Sequence, residues 1–116
     1  VVMTAFGGTA AVFFVMATLS SVIKRDLSGL GKWLFAGALV IMVGAIVNVF
    51  LGSSLGMMVI STLAIAVFSL YMLYDLKQIV DGGETNYINA TLALYLDIFN
   101  VFQSLLALLG MTAGDE

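Results

Sequence analysis

Two carboxylic acids sit inside runs of apolar residues where a charge has no ready reason to be. Asp75 lies in Leu70-Tyr71-Met72-Leu73-Tyr74-Asp75-Leu76, and Asp97 lies in Leu94-Tyr95-Leu96-Asp97-Ile98-Phe99. Between the two runs is a polar turn, Asp81-Gly82-Gly83-Glu84-Thr85-Asn86. At about 1.5 Å of rise per helical residue, the two acids stand roughly 9–15 Å in from the same end of a helical hairpin. An ionised Asp at the centre of a membrane helix costs about 2.5–3.5 kcal/mol on insertion scales, which makes such a residue a functional candidate. Close together, two acids titrate as a coupled pair, held by a shared proton or by a cation. Two Asp supply four oxygens at most, whereas calcium takes about six to eight. A metal site at Asp75 and Asp97 is therefore expected to be a weak calcium or proton site, completed by carbonyls and waters. The competing expectation is a structural hydrogen-bond knot of protonated Asp97 with Asn100, Ser104 and Asn48.

Composition narrows what surrounds these acids. Of 116 residues, 62% are hydrophobic and 9% charged, where an average soluble domain is roughly 25% charged. The mean hydropathy is +1.16. Cysteine and histidine are absent, which excludes disulfides, thiol chemistry and imidazole catalysis. A net charge of −3 offers no basic surface to nucleic acid. No nucleophile–base arrangement, phosphate loop or metal-ligand spacing appears, so an enzyme is not expected and no resident cofactor is implied.

Four apolar runs, at about 1–23, 33–51, 57–80 and 87–109, are each near the roughly 20 residues that cross a hydrocarbon core of about 30 Å. In lipid such runs default to helix, so the fold class expected is all-α, a polytopic membrane helix bundle in one transmembrane domain. Lys24 and Arg25 suit a helix C-terminus, with Gly29 and Gly31 following as breakers. Gly82-Gly83 suits a left-handed cap, and Asn86 an N-cap. The first loop carries Lys24, Arg25 and Lys32 against Asp26, and the second break, Gly52-Ser53-Ser54-Leu55-Gly56, carries no charge. Positive-inside then places the first and third breaks in the cytoplasm and the C-terminus outside, with Trp33 and Tyr87 at the cytoplasmic interface.

Periodicity assigns faces. The first helix shows a small stripe at Gly7, Ala10, Ala11, Phe14, Ala17, Thr18 and Ser21, and the second shows Gly37, Ile41, Gly44 and Asn48. Small stripes let membrane helices approach closely. On the third helix, Asp75 shares a face with Ser61, Ala64, Phe68, Tyr71 and Gln78, while Lys77 points away and is expected to snorkel to the interface. On the fourth, Ala90, Ala93, Asp97, Asn100, Ser104 and Ala107 oppose Leu92, Tyr95, Phe99, Phe102 and Leu106. Both acids should face inward. The abrupt Val1 and the short supply of partners for these inward stripes suggest a fragment that is unstable alone.

The stretch Gly82-Gly83-Glu84-Thr85-Asn86-Tyr87-Ile88, followed by Leu94-Tyr95-Leu96-Asp97-Ile98-Phe99-Asn100-Val101-Phe102 and Leu105 to Gly110, resembles the transmembrane BAX inhibitor motif family, in particular its bacterial YccA-like branch. The resemblance implies a seven-helix fold of which this chain supplies the last four helices, the missing N-terminal helices of the same protein being its partners in the bilayer. It also implies an inner-membrane location and modulation of the FtsH protease. From the wider family it implies a pH-sensitive calcium leak gated by two aspartates, matched here by Asp75 and Asp97. The intramembrane arginine of that family has no counterpart in this chain.

The cysteine-free sequence makes the topology directly testable. A cysteine introduced at Ser53 should react with an impermeant thiol reagent added outside intact cells, and one at Gly83 should not. The reverse pattern would overturn the orientation.

Overall fold

The computed structural model describes residues 2–23, 29–80 and 87–113. They form four helices, α1 (Val2–Val22), α2 (Leu30–Leu51), α3 (Ser54–Val80) and α4 (Tyr87–Ala113). Each contains a stretch long and apolar enough to cross a membrane. The long axis of the bundle is 43 Å, close to the ~40–45 Å of a bilayer with its headgroups. The expected caps at Lys24, Arg25, Gly82, Gly83 and Asn86, the side chain of Tyr87 and the acidic C-terminal end lie outside the described residues.

The break between α2 and α3 is shorter than the five residues the sequence suggests. Gly52 takes the left-handed conformation (φ 65°, ψ 26°) and returns its N–H to the Asn48 carbonyl. Only glycine does this without a Cβ penalty. Ser53 then caps α3, its Oγ accepting the Gly56 N–H at 3.0 Å, so the helix starts at Ser54 rather than Met57. At its other end α2 begins at Leu30, and Gly31 belongs to its first turn rather than ending a helix.

Helix α3 is the hub. It packs on α1, α2 and α4, and α1 also packs on α4; among the described residues α2 touches α3 alone. The α2–α3 contact follows a register of large residues against glycines. A methyl group built at Gly44 would lie 3.9 Å from Ile60 Cδ1, at Gly37 3.5 Å from Val67 Cγ2, and at Gly31 2.7 Å from Tyr74 Oη. Ile60, Val67 and Tyr74 are seven residues apart, the repeat that keeps one seam of a helix facing an antiparallel partner. The Gly37, Gly44 and Asn48 stripe expected on α2 is therefore its packing face.

The stripe expected on α1 is not. Gly7 has open space around it and Phe14 is 68% exposed. Instead Ala5, Thr9 and Ser20 are buried, and Gly8 sits 3.2 Å from Leu105 Cδ1 of α4 by its notional Cβ. The buried hydroxyls are satisfied within the helix, Thr9 donating to the Ala5 carbonyl and Ser20 to that of Ala17, both at 2.7 Å. Hydroxyls that can bond back along their own helix carry little information about which side faces a neighbour.

The tightest point is at the α2–α3 turn, where a methyl at Gly56 would overlap the Asn48 carboxamide. Gly56→Ala should cost about 1–3 kcal/mol, as overpacking generally does, and Gly37→Ala should be tolerated. The double variant Asn48→Ala/Gly56→Ala should lose less than the two singles summed. Unfolding curves in detergent measure all four; a G56A protein as stable as the parent would refute the contact.

Candidate functional site

The paired acids meet because α3 and α4 run antiparallel from the polar turn. Asp97 is 5% exposed and Asp75 half-buried, and their carboxyl groups lie within hydrogen-bonding reach of each other. Asp97 Oδ2 is buried with no hydrogen-bond partner. These two facts fit together chemically. An ionised carboxylate only accepts, so two of them facing each other make no hydrogen bond until one carries a proton. What the geometry can do is hold one proton between two acids, or accept a cation between two carboxylates.

The surroundings add one group. Tyr71 is one helical turn before Asp75, stacked on Phe68 with ring centroids 5.8 Å apart. Its phenol lies close to both Asp75 and Asp97. Side chains on a helix lean toward its N-terminus, so Asp75 leans toward the turn that carries Tyr71. A calcium ion here would have the two carboxylates and the nearby phenol, and no group of three or more acidic, histidine or cysteine side chains stands together among the described residues. The donor set fits a proton or a loosely held cation better than a buffered calcium site of about six to eight oxygens.

Three expected neighbours behave differently. Asn100 and Ser104 share the Asp97 side of α4 and are half-buried, yet neither donates to Oδ2. Asn48 is buried, but at the far end of the α2–α3 hairpin beside Gly56. From Gly56 to Asp75 is about 28 Å along α3 at 1.5 Å per residue, and α2 does not reach α4. The knot joining Asn48 to Asp97 is therefore not formed. Opposite the acids, α4 shows Leu92, Tyr95 and Phe99 on its outside as its periodicity requires. An apolar cleft of about 400 Å³ opens there between α1 and α4, lined by Phe6, Phe13, Phe14, Tyr95, Phe99 and Phe102 among others, away from the acid pair.

The largest departure concerns Lys77. It does not snorkel outward; it is 5% exposed, and its Nζ donates to the Ile23 carbonyl oxygen at 2.5 Å. Its orientation away from Asp75 was legible in the spacing, but the end of α1 occupies the place expected to be interface. The available signal was that α1 and α3 end on the same side of the bundle.

With this geometry in hand, comparison with known proteins is informative. The family described as "Inhibitor of apoptosis-promoting Bax1" matches residues 1–114. An uncharacterized membrane protein of Vibrio cholerae is 41% identical over 116 residues, all of this chain and 52% of that one. The Modulator of FtsH protease YccA of Escherichia coli is 40% identical over 115 residues, 99% of this chain and 52% of that protein. A Helicobacter pylori protein is 40% identical over 107 residues, 92% of this chain and 46% of its own length. The chain thus spans about half the length of the curated relatives it matches.

The orphaned oxygen supplies a test of the pair. Asp97→Asn keeps a donor against the Asp75 carboxylate but removes the proton that the two acids must share. Raising the pH should therefore lower the unfolding midpoint of the parent in detergent, as the shared proton is lost and the acids repel, and leave that of the variant level. The same pH dependence in both proteins would mean that the pair does not set it.

Proposed function

The chain belongs to the family of inhibitors of apoptosis-promoting Bax1, and from that membership we propose that it acts in a bacterial inner membrane as a modulator of an FtsH-type membrane protease. The observation that carries this reading is the 40% identity, across 99% of the chain, to a protein named for that role. The action is non-enzymatic, exerted by binding the protease and restraining its degradation of membrane proteins. In this reading the α1–α2 and α3–α4 connections face the cytoplasm and the C-terminus lies outside, as the Lys24, Arg25 and Lys32 loop favours.

A second activity is favoured by one specific feature, the contact between the Asp97 and Asp75 carboxyl groups, with Asp97 Oδ2 buried and without a hydrogen-bond partner. We propose that the pair is a proton-controlled cation leak. A proton shared between the acids closes the gap between α3 and α4. Loss of that proton leaves two negative charges that repel, and this favours a separated state open to calcium or another cation. The titration belongs to the pair rather than to either acid. A leak site with no protease partner is the alternative that remains if protease binding fails.

The two activities separate experimentally. Tagged protein should co-isolate FtsH, and its overproduction should lengthen the half-life of a membrane substrate of the protease. In proteoliposomes, calcium flux should depend on pH, and Asp75→Asn or Asp97→Asn should each abolish that dependence while leaving FtsH co-isolation intact. Absence of FtsH from the isolate removes the first reading. A double Asn variant with pH-dependent flux removes the second.

A further inference from the structure

Lys77 is the buried ionisable group that neither proposed activity uses. An ammonium withdrawn from water must be paired or hydrogen-bonded to persist. One partner is a backbone carbonyl, Ile23 O, one residue beyond the end of α1 at Val22. Helix C-termini present carbonyls without intrahelical donors and carry partial negative charge, so Lys77 caps α1 from a different helix. Two residues earlier on α3, Asp75 faces α4. At 3.6 residues per turn the two side chains point about 200° apart. One segment of α3 is thus gripped on opposite sides, by α1 through the ammonium and by α4 through the acid.

From this juxtaposition we propose that Lys77 is a positioning residue for the acid pair: by capping α1 it fixes the rotation of α3 at which Asp75 meets Asp97. Direct attraction between Lys77 and Asp75 is not its route, because the two diverge around the helix. The route is mechanical. Turning α3 so that Asp75 leaves Asp97 swings Lys77 away from the Ile23 carbonyl, so separation of the acids either breaks the cap or carries the end of α1 with it. Because α1 also packs on α4, the cap ties together three helices that are in mutual contact.

The inference takes the importance of the acid pair from the proposed leak, but its readout is geometric. A protein without cation flux leaves it standing, and a failed cap leaves the flux reading standing. The experiment uses the full chain in lipid nanodiscs, with spin labels on cysteines introduced in pairs at exposed positions. Ser21 with Ile79 reports α1–α3, and Leu70 with Leu92 reports α3–α4. Lys77→Met keeps the length and removes the donor. It should shift or broaden both distance distributions by several ångström, and Lys77→Arg, which keeps a cationic donor, should restore them. If Lys77→Met cannot be recovered from the membrane, Lys77→Leu, which also lacks a donor, is read by the same criterion. A disturbed α1–α3 distance beside an unchanged α3–α4 distance would reduce Lys77 to an anchor for α1 and overturn the proposal, as would two unchanged distances.

Discussion

A carboxyl group carried into hydrocarbon must meet a proton, a donor or a cation, and the rest of this bundle is arranged around which of the three it meets. The two acids are set against each other with Asp97 sealed from solvent and one of its oxygens lacking any donor. Replacing either with a well-packed apolar residue would remove a desolvation cost, so stability alone does not explain their presence. In the proposed leak the pair is a two-state element that hinges on one proton, and helix packing would transmit its state because packed interfaces shift between discrete arrangements.

Helix α3 makes that transmission concrete. Its three sides carry three kinds of contact: a ladder of Ile60, Val67 and Tyr74 against the glycines of α2, a carboxyl against α4, and an ammonium against the end of α1. The first depends on shape and is insensitive to charge. The other two depend on charge and lie near one end of the helix. The glycine seam extends to that same end, reaching Tyr74 beside Asp75, so it holds α2 to α3 along the whole hairpin.

Much of this was legible in the sequence, and the divisions follow physical contrast. The helix count, the inward side of α4 and the glycine seam of α2 were readable because each rests on a sharp difference, apolar against polar or small against large. The sides of α1 were misread because Gly, Ala, Ser and Thr occur all around it, and its hydroxyls satisfy themselves within the helix. The fate of Lys77 was misread because snorkelling assumes a free path to the interface, and a neighbouring helix end is invisible to single-helix periodicity. Asn48 was joined to the acids on the strength of polarity alone, whereas its place near the end of α2 already put it at the opposite depth. A protease partner leaves no trace in periodicity or charge; that reading rests on likeness to a named relative.

The two-residue turn at Gly52 and Ser53 has a consequence for how the protein enters the membrane. With the chain reversing in two residues, α2 and α3 suit entry as a single hairpin, whose tip carries no charged side chain. Its two backbone ends arrive already closed, one by the left-handed glycine and the other by the serine hydroxyl. The glycine seam is thus a contact that this hairpin completes by itself, whereas the acid pair needs α4 as well.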